Sequence, residues 1–154
     1  MRVVVRKGTA EDAPGLARLR WRWRVEERGE PGDREMFLDF FTSWVLDHLA
    51  THVPFVVEVD DRLAGMAWLM LSDRVPSPAR MDRRTGDLQS VYVLPELRNS
   101  GVGTALLDAV LADARARELE HLTVHSGGQA VPYYLRAGFA ADGRWLQHGV
   151  QDGV

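Results

Sequence analysis

Cysteine is absent from the 154 residues of this chain. This absence excludes disulfides, cysteine-ligated zinc and a cysteine nucleophile, and it is compatible with a reducing compartment. No apolar run approaches the ~20 residues that are needed to span a bilayer. The first residues, MRVVVRKGTAED, also lack the long apolar core of a secretory signal. We therefore expect a cytoplasmic protein that makes no contact with a membrane.

Excess charge of either sign is also lacking, since 19 basic and 22 acidic residues give a net charge of −3. Because these charges are interspersed, no overall field favours nucleic acid. The one basic run is RLRWRWR at 18–24. Alternate positions on a helix lie about 200° apart, so the arginines of this run do not form one stripe, and a solvated or cofactor-facing helix side is expected.

None of the five histidines has partners at metal-ligand spacing, so we expect no metal.

Hydrophobic periodicity divides the chain into alternating helical and extended segments. We expect strands at 2–6, 55–59, 63–71, 87–94 and 122–124, followed by one or two closing strands within 139–148. Thr9 and Asp12 are typical of a capped helix start, and Gly29-Glu30-Pro31-Gly32 should end that first helix. Further helices are expected at 33–50, 102–119 and 129–137, with Pro132 in a first helical turn, and a loop at 76–84.

These elements predict one domain over residues 1–154, of the α/β (α+β) class. The hairpin at 55–71 should be antiparallel, whereas 87–94, 102–119 and 121–125 form a βαβ unit whose strands should be parallel. We therefore expect a mixed, mostly antiparallel sheet of six to seven strands, with one parallel pair and about four helices.

The glycine loop at 98–103, RNSGVG, lies between the strand at 87–94 and a helix rich in Ala and Leu. Glycine lets the backbone approach a ligand closely, and the N–H groups of a helix start are suited to a pyrophosphate. A Walker loop would need Lys after its second glycine, which is absent here. A dinucleotide-binding loop would need a small residue at Leu106 and a shorter path from the strand. Neither of these two classes fits.

Two motifs in the correct order and spacing resemble the GNAT-type N-acyltransferase superfamily. The first is VYVLPELRNSGVG at 91–103, and the second is YYLRAGF at 133–139. The segment at 3–19 is also similar to the opening strand and helix of that family. The resemblance implies a GNAT-like fold and an enzyme that transfers an acetyl (acyl) group from acetyl-CoA to a primary amine by direct attack.

By this resemblance, backbone N–H groups from Arg98 to Thr104 hold the CoA pyrophosphate, and the backbone of Val91 and Val93 pairs with the pantetheine amides. Leu88 and Tyr92 either pack or line the acceptor side. The residues predicted to bind the cofactor are Val91, Tyr92, Val93, Arg98, Asn99, Ser100, Gly101, Val102, Gly103 and Thr104.

Tyr134 stands at the family position that protonates the departing CoA thiolate, a role that a phenol with an unperturbed pKa near ~10 can fill. Many members carry Asn where this chain has Gly127, so either Ser126, backbone groups or water replace that contact or the contact is absent. The general base is left open among several residues. The candidates are Glu26, Glu27, His48, His52, Glu58, Asp87, groups beside Gln89, and His125.

Several aromatic residues suggest a partly enclosed, apolar acceptor pocket, although core packing explains most of them. They are Trp21, Trp23, Phe37, Phe40, Phe41 and Trp44. We therefore expect a small-molecule acceptor. Two alternatives remain, namely a protein or peptide acceptor and a non-catalytic acyl-CoA-binding sensor. Members of the family are often dimers, which suggests a homodimer.

Overall fold

The computed structural model describes residues 1–151 and contains a sheet flanked by helices. The strands are β1 (Val3–Lys7), β2 (His52–Val59), β3 (Arg62–Asp73), β4 (Arg84–Val93) and β5 (Leu122–Val124). The α-helices are α1 (Ala13–Trp21), α2 (Arg34–His48), α3 (Val102–Ala116) and α4 (Val131–Arg136). A π-helical turn, Arg22–Glu27, extends α1, and short 3₁₀ turns occur at Ala10–Asp12, Pro95–Leu97 and Gly128–Ala130.

The sheet has the strand order β1-β2-β3-β4-β5. The first four strands pair antiparallel, and β5 pairs with β4 in parallel. The mixed, mostly antiparallel sheet, its parallel pair and the four α-helices are therefore confirmed.

The predicted count of six to seven strands was wrong, because the sheet of the described residues has five. Residues 139–148, which we expected to add one or two strands, form none. A turn at Asp142, whose carboxylate accepts from the Arg144 N–H at 2.9 Å, interrupts this segment. Leu146 beyond it is 89% exposed. The neighbouring β5 is three residues long and offers little template for another strand.

Because successive side chains of a strand point to opposite faces of the sheet, each face has its own hydrophobic core. On one face, residues of β2, β3 and β4 pack against α1 and α2. On the other face, the intervening residues of the same strands pack against α3 and α4. The first core contains Leu16, Leu19, Val45, Val56, Met66, Trp68 and Tyr92, and the second contains Phe55, Leu69, Leu88, Leu106, Val110 and Tyr134.

Two irregularities in β4 open the sheet beside α3. The β3–β4 register shifts so that Met66 pairs with Tyr92 but Trp68 pairs with Gln89, which leaves a bulge at Ser90 with a φ of 54°. Pairing with β5 ends at Leu88 and Val124. Because a bulge bends its strand and interrupts the ladder, the C-terminal half of β4 separates from β5.

We expect Gly65→Ala to destabilise the fold, because Gly65 pairs with Val93 and has no room for a side chain. A Cβ atom there would lie 2.7 Å from Val57 Cγ1 and 2.9 Å from the Tyr92 carbonyl oxygen. Overpacking of this kind costs about 1–3 kcal/mol, which urea denaturation would measure. The matched control is Gly143→Ala, whose Cβ would meet nothing within 4 Å. Equal stability of the two variants would contradict this packing argument.

Candidate active site

A cleft of ≈ 820 Å³ occupies the space where β4 and β5 separate. Val91, Tyr92 and Val93 line one side of it, and His125 to Ala130 line the other. Glu27, Arg98 and Tyr134 also line the cleft. It therefore contains four of the ten residues that were predicted to bind the cofactor, together with the predicted acid.

The remaining six predicted cofactor residues, Asn99 to Thr104, form the loop after Arg98 and the first turn of α3. Asn99 and Gly101 have left-handed φ angles of 61° and 87°. The first helical hydrogen bond runs from the Ala105 N–H to the Gly101 carbonyl, at 3.0 Å. The N–H groups that precede Ala105 at this helix start therefore lack intrahelical acceptors, and the helix dipole adds positive potential there. This chemistry fits a pyrophosphate.

Gly103 is held by α4, because the Tyr133 hydroxyl donates to the Gly103 carbonyl at 2.6 Å. A Cβ on Gly103 would meet the Tyr133 ring at 3.5 Å, which is an ordinary contact. The positive φ at Gly101 is thus the stronger backbone reason for glycine in this loop.

Arg98 forms two hydrogen bonds with groups of the cleft, although its side chain is 47% exposed. Its Nε donates to the Val93 carbonyl at 3.0 Å, and Nη2 donates to Glu27 Oε2 at 3.3 Å. Glu27 also accepts from the Tyr92 hydroxyl. Tyr92 stacks on Trp23, with ring centroids 5.4 Å apart. Burial and this carboxylate raise the pKa of Tyr92 well above its usual value, so its hydroxyl remains a donor.

Tyr134 lies in α4 with its ring packed edge-on against Tyr133 and Phe139. Pro132 occupies the first turn of α4, as the sequence predicts, so it interrupts no helical hydrogen bond. Tyr134 is 7% exposed, and burial raises its pKa to about 12. The phenol therefore remains protonated at neutral pH and is able to donate a proton.

A second cavity, of ≈ 330 Å³, adjoins the cleft at Ser90, which lines both. We call it the aromatic pocket. Its lining residues are Arg20, Phe37, Phe40, Phe41, Trp44, His52, Trp68, Gln89 and Ser90. Of the aromatic residues suggested from the sequence, the four on α2 line this pocket. Trp23 lines the cleft instead, and Trp21 packs against Phe37.

Sequence reasoning did not identify Arg20, Trp68 or Ser90 as parts of a site. Arg20 belongs to the basic run at 18–24, for which the sequence predicted only a solvated or cofactor-facing side of a helix. Ser90 has no local signal, because its exposure in both cavities depends on the register between β3 and β4. Trp68 lies within the strand predicted at 63–71, and nothing in that strand pattern indicated a cavity beside it.

The candidate bases are distributed among different environments. Glu27 and His125 line the cleft, whereas His52 and Gln89 line the aromatic pocket. Asp87 accepts from Gln89 and Thr123. His48 stacks on Trp44. Glu58 pairs with Arg6 at 2.5 Å and lines a third cavity at Asp12 and Leu63.

Gly127 is the position where many family members carry Asn, and it lines the cleft beside Ser126.

Within residues 1–151, no three His, Cys, Asp or Glu side chains are grouped so that they could hold a metal ion. The helices of the same residues include none that is long and apolar enough to cross a membrane.

Solved structures of two acetyltransferases have the same fold as this chain. A predicted acetyltransferase of Clostridium acetobutylicum, solved with acetyl-CoA, superposes with a TM-score of 0.79 over 96% of each chain, at 23% identity. A GCN5-related N-acetyltransferase of Ralstonia eutropha JMP134 gives a TM-score of 0.74 over 97% of this chain and 100% of that one, also at 23% identity.

Two sequence comparisons extend this likeness. Glucosamine 6-phosphate N-acetyltransferase of Trypanosoma brucei brucei is 29% identical over 86 residues, which are 56% of this chain and 56% of that protein. The model of the Acetyltransferase (GNAT) family matches residues 14–139. Because that match covers most of its 154 residues, this chain belongs to the GNAT acetyltransferase family.

Proposed function

We propose that this chain transfers an acetyl group from acetyl-CoA to a primary amine of a small molecule, by direct attack, with Tyr134 as the general acid. The observation that carries the proposal is that the cleft and the aromatic pocket meet at Ser90. One cavity then serves the acyl donor and the other serves the acceptor, and the two substrates react where the cavities join.

The donor side is supported by the glycine loop. Backbone N–H groups between Arg98 and Thr104 bind the pyrophosphate, and the backbone of Val91 and Val93 binds the pantetheine amides as an added strand would. Because the Val93 carbonyl accepts from Arg98, a pantetheine amide that pairs with this carbonyl competes with the Arg98 side chain for it. A guanidinium released from the carbonyl becomes available to the phosphates.

Bound acetyl-CoA supplies a thioester carbonyl that is open to attack by a neutral amine. In the proposed step a C–N bond forms and the C–S bond breaks. The Tyr134 hydroxyl gives its proton to the sulfur, so the products are an amide and CoA thiol. The proton lost by the amine passes through solvent to the tyrosinate and restores the phenol. A phenol whose pKa is about 12 is protonated before every turnover.

The acceptor side favours a small molecule over a protein chain. A volume of ≈ 330 Å³ lies at the lower end of the range for small-ligand sites. Walls from α2, β2, β3 and β4 surround the pocket, whereas a peptide would need an extended groove. The presence of Tyr134 in the cleft argues against a silent acyl-CoA sensor, since binding alone does not require a proton donor.

Tyr134→Phe tests the acid directly. We expect kcat to fall by about tenfold to a hundredfold, at or below the lower bound of the general-acid range, because a thiolate with a pKa near ~8.5 leaves readily. Since burial raises the pKa of Tyr134 to about 12, the native enzyme should show no alkaline loss of kcat from this group below about pH 11. Steady-state thiol release measures both effects.

The matched control is Tyr133→Phe, which removes the hydroxyl that donates to Gly103. It should cost about 1 kcal/mol of stability and leave kcat within severalfold of the native value. An unchanged kcat in Tyr134→Phe would show that this hydroxyl is not the acid.

Gly101→Ala tests the pyrophosphate loop. The left-handed φ of 87° costs a non-glycine residue about 1–2 kcal/mol, so the loop should relax away from its binding geometry. We expect the KM for acetyl-CoA to rise about tenfold with little change in kcat. The control is Gly143→Ala, a glycine remote from both cavities. An unaltered KM in Gly101→Ala would contradict the role of this loop.

A further inference from the structure

Arg20 lines the aromatic pocket, and its guanidinium lies over the Trp23 ring, 5.1 Å from the ring centroid. It is half-buried at the end of α1, and its Nη1 donates to Ser90 Oγ at 3.0 Å. Its neighbours Arg22 and Arg24 pair with Glu96 and Glu30. Arg20 forms no ion pair with any carboxylate of the described residues. A guanidinium carries five N–H donors, and this one hydrogen bond uses a single donor.

The other groups of the pocket do not neutralise this charge. No carboxylate lines the pocket, and burial lowers the pKa of His52, so the imidazole is neutral at physiological pH. The indole N–H of Trp68 is buried and has no acceptor among the described residues. The free N–H donors of Arg20 therefore call for a ligand that brings hydrogen-bond acceptors and negative charge.

Apart from Gln89 and Ser90, the remaining walls are aromatic. Phe37, Phe41 and Trp44 are half-buried on α2, and Phe40 at the rim is 70% exposed. Only Val45 of this 15-residue helix is fully buried. The apolar face of α2 is thus incompletely covered by the core, and its rings are available to an apolar body.

We propose that the acceptor is an α-amino acid with a large apolar or aromatic side chain. Its carboxylate binds Arg20, its amine lies at Ser90 where the two cavities meet, and its side chain packs on the α2 rings. This proposal rests on the function proposed above. The amine nitrogen and the carboxylate carbon of an amino acid are about 2.5 Å apart, so one guanidinium beside Ser90 can hold the carboxylate while the amine reaches the thioester.

The charge of Arg20 also bears on reactivity. A nearby cation lowers the pKa of an ammonium group, which raises the fraction of the neutral amine that can attack. An amine without a carboxylate meets the same repulsion but gains no ion pair, so the pocket should discriminate against it. A sugar phosphate brings a dianion and several hydroxyl groups to one guanidinium and mostly aromatic walls, which is a poorer match.

The first test compares acceptors that differ only in the carboxylate. Acetyl-CoA turnover is measured with L-phenylalanine against 2-phenylethylamine, and with L-tryptophan against tryptamine. L-alanine tests the apolar walls, and glucosamine 6-phosphate tests the sugar phosphate. We expect kcat/KM for each aromatic amino acid to exceed that of its amine and that of L-alanine by about tenfold or more, as charged hydrogen bonds and apolar burial allow. Equal values, or a preference for glucosamine 6-phosphate, overturn the proposal.

The second test changes the cation. In Arg20→Gln, kcat/KM for L-phenylalanine should fall by about tenfold or more, while that for 2-phenylethylamine should be retained or rise. The turnover of the amine shows that the variant is folded. Arg20→Lys should retain part of the preference. The control Arg18→Gln removes an exposed arginine that lines the third cavity and should leave both acceptors unaffected. An equal loss for both acceptors in Arg20→Gln contradicts carboxylate recognition.

Binding without acetyl-CoA separates this proposal from the transfer function. Trp44 and Trp68 line the pocket, so titration of tryptophan fluorescence with L-phenylalanine and 2-phenylethylamine reports occupancy. Preferential binding of the amino acid that is lost in Arg20→Gln, without turnover of any acceptor, supports this proposal and refutes the proposed transfer. Turnover of amines with no preference for the carboxylate in either assay supports the transfer and refutes this proposal.

Discussion

The hydrogen-bonded ladder between β4 and β5 stops at Leu88 and Val124, and the cleft depends on this early stop. Where the strands still pair, the packing is tight. A Cβ on Gly86 would lie 2.7 Å from Leu69 Cδ1 and 3.0 Å from Leu122 Cδ1. Beyond Leu88 the bulge at Ser90 bends β4 away, so the backbone of Val91 and Val93 faces the cleft instead of a neighbouring strand. A continuous parallel pair would leave no room for a ligand.

The helices beside this opening supply different chemical groups on the two faces of the sheet. The start of α3 places N–H groups without intrahelical acceptors after Arg98, and α4 places a protonated phenol in the same cleft. On the opposite face of the sheet, α2 contributes rings to the aromatic pocket. The phenol of Tyr134 and the rings of α2 therefore lie on opposite faces of the sheet, and the cleft and the aromatic pocket meet at Ser90.

The basic run at 18–24 shows how helix geometry distributes like charges. The sequence predicted that its arginines do not form one stripe, and the structure confirms it. Arg18 is exposed near the third cavity, Arg20 faces the aromatic pocket, and Arg22 and Arg24 pair with Glu96 and Glu30. Composition does not distinguish these four arginines. Their positions on the helix differ, and of the four only Arg20 lines the aromatic pocket.

The sequence by itself determined the local structure and the family, because periodicity, turn residues and the two glycine-containing motifs act over a few neighbouring residues. It indicated the parallel pair, the helix that starts at Val102, and the position of Pro132 in α4. It also predicted strands at 139–148, which do not form, because a strand needs a partner with a long enough edge. Ser90 at the junction of the cavities and Arg20 beside it were decided only by the tertiary structure. Their roles depend on strand register and on the packing of α1 against the sheet, which join residues 70 positions apart.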